Sequence, residues 1–200
     1  MLLIGLTGPS GAGKSTVSEL FASFGLPVLN ADAIYHTLLT PPSECLSDLT
    51  ECFGREILAP DGTLNRTALA AIVFDDPREL EKLNHITHSH VMRDARRQLK
   101  KLRDNGVPAA VFDAPQLFES GADRECNIVV SVLAEEEIRL HRILERDGIP
   151  REAALKRIHA QKSDRFFRTH SDYIIENNLS PDALIPQVRQ ILKETGVLPR

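Results

Sequence analysis

The apolar run Leu2-Leu3-Ile4-Gly5-Leu6 passes directly into Gly8-Pro9-Ser10-Gly11-Ala12-Gly13-Lys14-Ser15-Thr16, which matches the pattern G-x-x-x-x-G-K-[ST]. A buried strand that ends in this loop and continues as a helix is the signature of a phosphate-binding P-loop. Glycines at 8, 11 and 13 permit backbone angles that a side chain would forbid, so successive N–H groups can turn inward toward phosphate oxygens. A helix starting near Lys14 adds the positive end of its dipole. Lys14 is then placed to reach the β- and γ-phosphates, and the Ser15 hydroxyl to ligate Mg²⁺. The backbone amides of Gly11, Ala12, Gly13, Lys14, Ser15 and Thr16 are the expected ATP contacts.

The rest of the chain must supply a scaffold for that loop. At 200 residues, with 42% hydrophobic and 26% charged residues, it has the composition of one globular α/β body with insertions. No apolar run approaches the roughly 18 residues needed to span a bilayer, and no basic segment precedes the first apolar stretch. The expectation is a cytoplasmic protein without a membrane partner. Cys45, Cys52 and Cys126 are odd in number and form no C-x-x-C pair, which argues against a disulfide framework or a thiolate metal site. The net charge of −4 offers no basic face for a nucleic-acid backbone. Charge is nevertheless uneven, since nine Lys/Arg face four acids between Ile138 and Ser171, a local +5 on an acidic remainder. Such a segment suits a cationic cover over polyphosphate.

Short apolar runs recur at Leu2–Leu6, Pro27–Leu29, Ala109–Phe112 and Ile128–Val132, with a shorter one at Tyr173–Ile175. Most are continuous rather than alternating, as strands buried on both faces should be. Helical patterns between them predict an α/β, doubly wound, parallel five-stranded sheet of the P-loop NTPase fold. Almost eighty residues separate the second and third runs, far more than a crossover needs. Ser43 caps an expected helix through Phe53, Pro60-Asp61-Gly62 marks a turn, and Asp76-Pro77 opens a long helix toward Asp104. The predicted division is a nucleotide-binding core at 1–30, 108–133 and 172–200, a helical acceptor region at 31–107 and a lid at 134–171.

That layout is a phosphoryl-transfer kinase's, and the absence of an N-K-x-D element argues against a guanine-nucleotide switch. A hydroxyl acceptor gains from a carboxylate that takes its proton, whereas a phosphate acceptor does not. Asp32 follows the second strand at its carboxyl end and would face the γ-phosphate pocket. Asp is also a preferred helix N-cap, so Asp32 admits both a catalytic and a capping reading. Asp113, ending the third strand, either holds a Mg²⁺-bound water or serves as a structural turn residue.

At this point the chain resembles the dephospho-CoA kinase family along essentially its whole length. The resemblance is carried by the P-loop, Ala31-Asp32, Asp61-Gly62-Thr63-Leu64-Asn65-Arg66, His88 and Pro115-Gln116-Leu117-Phe118-Glu119. It extends through Arg142 to Asp147-Gly148, Arg157 to Gln161, and Ser171-Asp172-Tyr173-Ile174-Ile175-Glu176-Asn177. It implies transfer of the ATP γ-phosphoryl to the ribose 3′-hydroxyl of dephospho-CoA, with Mg²⁺, completing coenzyme A synthesis. Asp32 would be the general base, and Lys14 and Arg142 would neutralise charge on the transferring group. Arg146 and Asn177 would join the ATP contacts. Arg66, His88, Pro115, Leu117 and Glu119 would surround dephospho-CoA. Without the resemblance, the residues also suit a kinase for another small hydroxyl or nucleoside acceptor, or a nucleotide sensor with no transfer activity. Asn30, Ser89, Gln116, Leu179-Ser180 and Arg165-Phe166 depart from the family pattern and leave none of the chemistry's groups missing.

Two further clusters have plainer readings. His85, His88 and His90 fall on the long helix without a Cys or carboxylate to complete a zinc set. Phe166-Phe167 between Arg165 and Arg168 reads as a hinge anchored by apolar rings rather than a nucleic-acid patch.

Overall fold

A computed structural model describes residues 1–74 and 76–199. In chain order its elements are β1 (Leu2–Thr7), α1 (Lys14–Ser23), β2 (Val28–Asn30), α2 (Ala31–Leu38), α3 (Glu44–Phe53), α4 (Arg66–Val73) and α5 (Pro77–Asp104), followed by β3 (Ala109–Asp113), β4 (Ile128–Leu133), α6 (Glu136–Asp147), α7 (Arg151–His159), α8 (Asp164–His170), β5 (Tyr173–Glu176) and α9 (Leu184–Glu194). The five strands form one sheet in the order β2-β3-β1-β4-β5, with parallel neighbours. β3 is buried throughout, and β1 and β4 are buried beyond their first residue. This is why their sequences run apolar without alternation.

The chain divides into two compact units, residues 1–29 with 103–200, and residues 30–102. The first holds the sheet. Its core joins Ile4, Leu6, Val111, Val130, Val132 and Ile175 to Val17 and Phe21 of α1, and to Leu184, Val188, Ile191 and Leu192 of α9. The α9 positions fall at i, i+4, i+7 and i+8, one face of a helix. Removing a buried group such as Val188, which is 0% exposed, would cost about 1–3 kcal/mol. The segment 134–171 clusters within this same unit.

The second unit is helical. Cys45, Leu49 and Phe53 of α3 meet Ile57, Leu69 and Val73 in its own core. The Ser43 hydroxyl accepts from the Leu46 amide at 3.2 Å, as its N-cap position requires. Leu58 and Leu64 form an antiparallel bridge around the turn at Asp61 and Gly62. α5 begins at Pro77, and Asp76 accepts from the Arg78 amide at 2.8 Å. Its buried residues Thr87, His90, Val91, Ala95 and Leu99 form one stripe. The three histidines separate accordingly. His85 is exposed, whereas His90 is buried and bonds Asp48 at 2.6 Å and Arg93 at 2.7 Å. Among the described residues no group of three or more His, Cys, Asp or Glu converges as a metal site.

Candidate active site

The loop between β1 and α1 takes its shape from two glycines in particular. Gly11 has φ +79°, and a Cβ there would lie 2.5 Å from the Arg139 carbonyl oxygen. Gly13 has φ +89°, and its Cβ would collide with the Asn177 amide. Both positions therefore combine a left-handed backbone with neighbours that admit no side chain. Gly13 is the N-cap of α1 and supplies no side-chain acceptor. Among the described residues the amides of Lys14, Ser15 and Thr16 consequently donate to no protein group. A helix start with open amides and a positive dipole end is built to receive an anion. The Ala12 amide differs, because it closes a turn onto the Pro9 carbonyl at 3.1 Å.

The sheet delivers the carboxylate beneath this loop. Leu6 of β1 is in register with Asp113 of β3, so the end of β3 lies beside the residues that lead into the loop. Asp113, 1% exposed, forms an ion pair with the Lys14 ammonium. Asp113 is the last residue of β3, and its carboxylate partners the loop lysine. The Ser15 hydroxyl is exposed and makes no hydrogen bond among the described residues. An exposed hydroxyl that follows directly on the lysine paired with a strand-end carboxylate is oxygen chemistry of the kind a hard cation takes, with phosphate and water as its remaining ligands.

Four side chains brace the loop backbone. Asn177, 5% exposed, donates to the Ala12 carbonyl at 2.7 Å. Arg142 donates to the carbonyls of Gly11 (3.2 Å), Ala12 (3.3 Å) and Asn177 (3.0 Å). Both residues thus meet the loop backbone, and a direct contact with phosphate would require Arg142 to release carbonyls. Arg139, unanticipated as a site residue, holds the Ser10 carbonyl at 3.0 Å and Gln161 at 3.2 Å. Gln161 in turn accepts from the Ser10 amide at 3.0 Å. Burial pushes the Arg139 guanidinium below its usual pKa, against the charges of Asp164 and Glu136. The only sign of Arg139 in the sequence is a charged residue beside Leu140 and Ile143 on the buried face of α6.

Arg146 points elsewhere, bonding Asp147 at 2.7 and 3.1 Å, and Arg157 shares that carboxylate. The Arg146 hydrogen bonds, with smaller help from Arg157, hold Asp147 down at about 2. After β3, Leu117 is fully buried and Pro115 and Glu119 are exposed. Phe118 packs edge-on against Phe166 of α8 at 5.2 Å, and Phe166 stacks on His170 at 4.0 Å. The Phe166-Phe167 pair is thus bound up with the 115–119 loop.

In the helical unit, Asn30 rather than Asp32 caps α2. The Asn30 side chain accepts from the Ala33 amide at 2.8 Å. The capping reading of Asp32 is thereby overturned. Asp32 is exposed in the first turn of α2, and its carboxylate has no partner among the described residues. Arg66 opens α4 behind the Asn65 cap and reaches His36 of α2 at 2.9 Å. His88 is half-buried on α5.

Known proteins place this arrangement. The family model described as dephospho-CoA kinase matches residues 2–182. The chain is 36% identical over 194 residues to the dephospho-CoA kinase of Corynebacterium glutamicum, covering 97% of each. A Thermus thermophilus crystal structure superposes with TM-score 0.83 at 33% identity, covering 96% of this chain and 97% of that one. A dephospho-CoA kinase from Campylobacter jejuni superposes with TM-score 0.70 at 26% identity and covers 98% of both. A chain with this loop, this sheet and these matches along nearly its whole length belongs to the dephospho-CoA kinase family.

Proposed function

We propose that this protein transfers the γ-phosphoryl group of ATP to the ribose 3′-hydroxyl of dephospho-CoA, releasing ADP and coenzyme A. The observation that carries the donor half is the braced loop at 8–16, whose helix-start amides are open and whose lysine is held by a buried carboxylate. The ATP phosphates sit on the amides of Gly11, Gly13, Lys14, Ser15 and Thr16, the expected Ala12 amide being spent on the Pro9 carbonyl, with Lys14 against the β- and γ-phosphates. Ser15, and Asp113 through water, would hold Mg²⁺, which supplies positive charge against the phosphate oxygens. Asp32 takes the proton of the acceptor hydroxyl as the new P–O bond forms. Its exposed, unpartnered carboxylate is free for that task. Arg66 and His88 are assigned to the acceptor within residues 31–107, and Pro115 and Glu119 are the exposed residues of the 115–119 loop assigned to it, whereas Leu117, fully buried, supports that loop from inside instead of touching the acceptor. Arg142 and Arg146 belong to a lid at 134–171 that closes over the donor, and Asn177 acts on ATP through the Ala12 carbonyl it holds. Among the described residues no helix is long and apolar enough to cross a membrane, which is consistent with work in the cytoplasm.

The direct test follows ADP release from ATP with and without dephospho-CoA. Release should require the acceptor and yield stoichiometric coenzyme A. Acceptor-independent release, or none, would overturn the assignment in favour of a sensor or a kinase for another acceptor.

A second expectation concerns the Ser10 peptide, whose two polar groups are held by Gln161 and Arg139. Gln161→Leu removes an acceptor shared by the Ser10 amide and the Arg139 guanidinium. The KM for ATP should rise about 5- to 10-fold, the effect of losing one to two ordinary hydrogen bonds. Gln161→Glu keeps the accepting oxygen and should recover most of that loss, while the KM for dephospho-CoA stays near wild type in both. Equal shifts in the two KM values would show general damage instead of loop bracing.

A further inference from the structure

His36 and Arg66 form a donor pair whose purpose is unexplained by the fold. Arg66 is delivered by a tightly built turn, in which Asp61 accepts from the Thr63 amide at 3.0 Å and from its hydroxyl at 2.7 Å. The Asn65 amide then bonds the Ile57 carbonyl at 2.8 Å, and the Asn65 side chain caps α4 through the Ala68 amide at 3.1 Å. The guanidinium emerging from this turn donates to Nδ1 of His36 at 2.9 Å. Arginine carries no acceptor, so Nδ1 must present its lone pair and the ring proton must reside on Nε2. Among the described residues neither Nε2 of His36 nor the remaining guanidinium N–H groups have a partner.

Both residues are exposed, and an exposed contact of this kind adds little stability. It does leave Nε2–H and the outer guanidinium N–H groups as donors a few ångströms apart beside a fixed positive charge, the chemistry that receives the oxygens of a diphosphate. His36 lies four residues after Asp32 on α2, so the two share a helix face about one turn apart. A ribose separates its 5′-phosphate from its 3′-hydroxyl by a comparable reach.

We propose that His36, its tautomer set by Arg66, is an acceptor-recognition residue whose Nε2–H, together with the guanidinium, binds the diphosphate of dephospho-CoA while the 3′-hydroxyl meets Asp32. This rests on the functional reading above. It makes His36 the member of the acceptor site that orients the ribose toward the base.

The test measures both KM values and kcat for wild type, His36→Phe and His36→Gln, with calorimetric titration of dephospho-CoA in the absence of ATP. His36→Phe keeps a ring but no donor, and should raise the KM and Kd for dephospho-CoA about tenfold, the effect of one charge-assisted hydrogen bond. The KM for ATP should move less than twofold and kcat less than threefold. His36→Gln restores a donor near the Nε2 position and should return the KM to within about threefold of wild type. An unchanged acceptor KM in an active His36→Phe enzyme, or a KM for ATP that rises equally, would overturn the proposal and leave the functional reading standing. So would a His36→Gln enzyme as impaired as His36→Phe. Failure of the wild type to bind dephospho-CoA would overturn the functional reading, and this proposal with it.

Discussion

Lys14→Ala should cost this protein both its nucleotide and part of its stability, and a second substitution should separate the two losses. The ammonium lost is the group we assign to the β- and γ-phosphates, so ATP affinity should weaken at least tenfold and turnover fall by about 10²–10³. The same ammonium is paired with Asp113, whose side chain is 2% exposed. Removing one member of a buried ion pair takes away the attraction that offset the desolvation of the other, a loss of about 3 kcal/mol by the usual behaviour of such pairs. For a domain of this size that lowers Tm by roughly 6–12 °C. Adding Asp113→Asn neutralises that buried carboxylate at nearly constant shape and should return much of the lost stability without returning turnover. Thermal denaturation and steady-state kinetics on the single and double variants check both statements. A Lys14→Ala protein with wild-type ATP affinity would show that the loop is not a working phosphate site, and a double variant no more stable than the single would show that Asp113 draws its support elsewhere.

The parts of this architecture that could be read in the chain are those governed by local rules. The P-loop is local because glycines at fixed spacing, a strand before and a helix after all lie within about fifteen residues. The Ser43 cap and the Pro77 start of α5 are local for the same reason. The sheet followed from unbroken apolar runs, and even the three-residue β2 was visible, one residue out of step, as the run Pro27–Leu29.

What escaped reading depends on contacts between segments distant in sequence. Nothing near Arg139 announces that its guanidinium will hold the Ser10 carbonyl 129 residues away. Asn177 and Arg142 entered as ATP contacts only through the family resemblance, and nothing near either in the chain shows that they also hold the Ala12 carbonyl 165 and 130 residues away. That Asn30, and not Asp32, caps α2 was missed for a different reason. Both residue types cap well, and only the backbone angles at Asn30, extended at φ −93° and ψ 117°, select it.

That selection sharpens the remaining expectation, for Asp32→Asn. Had Asp32 been the cap, its replacement would have mixed a folding defect with any chemical one. Because Asn30 already satisfies the Ala33 amide, the substitution touches no hydrogen bond or ion pair among the described residues. Its only expected structural effect is loss of a negative charge from the first turn of α2, worth a few tenths to 1 kcal/mol at an exposed site. The chemical effect should be far larger. An Asn amide cannot accept the proton of the acceptor hydroxyl, and loss of a positioned general base slows transfer by about 10²–10⁴. In the proposed function the nucleotide rests on the loop at 8–16, so ATP affinity measured by calorimetry should stay within twofold of wild type. The loss should also fall on kcat more than on the KM for dephospho-CoA, because the proton moves only as the P–O bond forms. A variant that folds normally, binds ATP normally and turns over at the wild-type rate would remove Asp32 from the chemistry. The acceptor would then need no base from α2, and its reactivity would rest on the charge gathered around the phosphates alone.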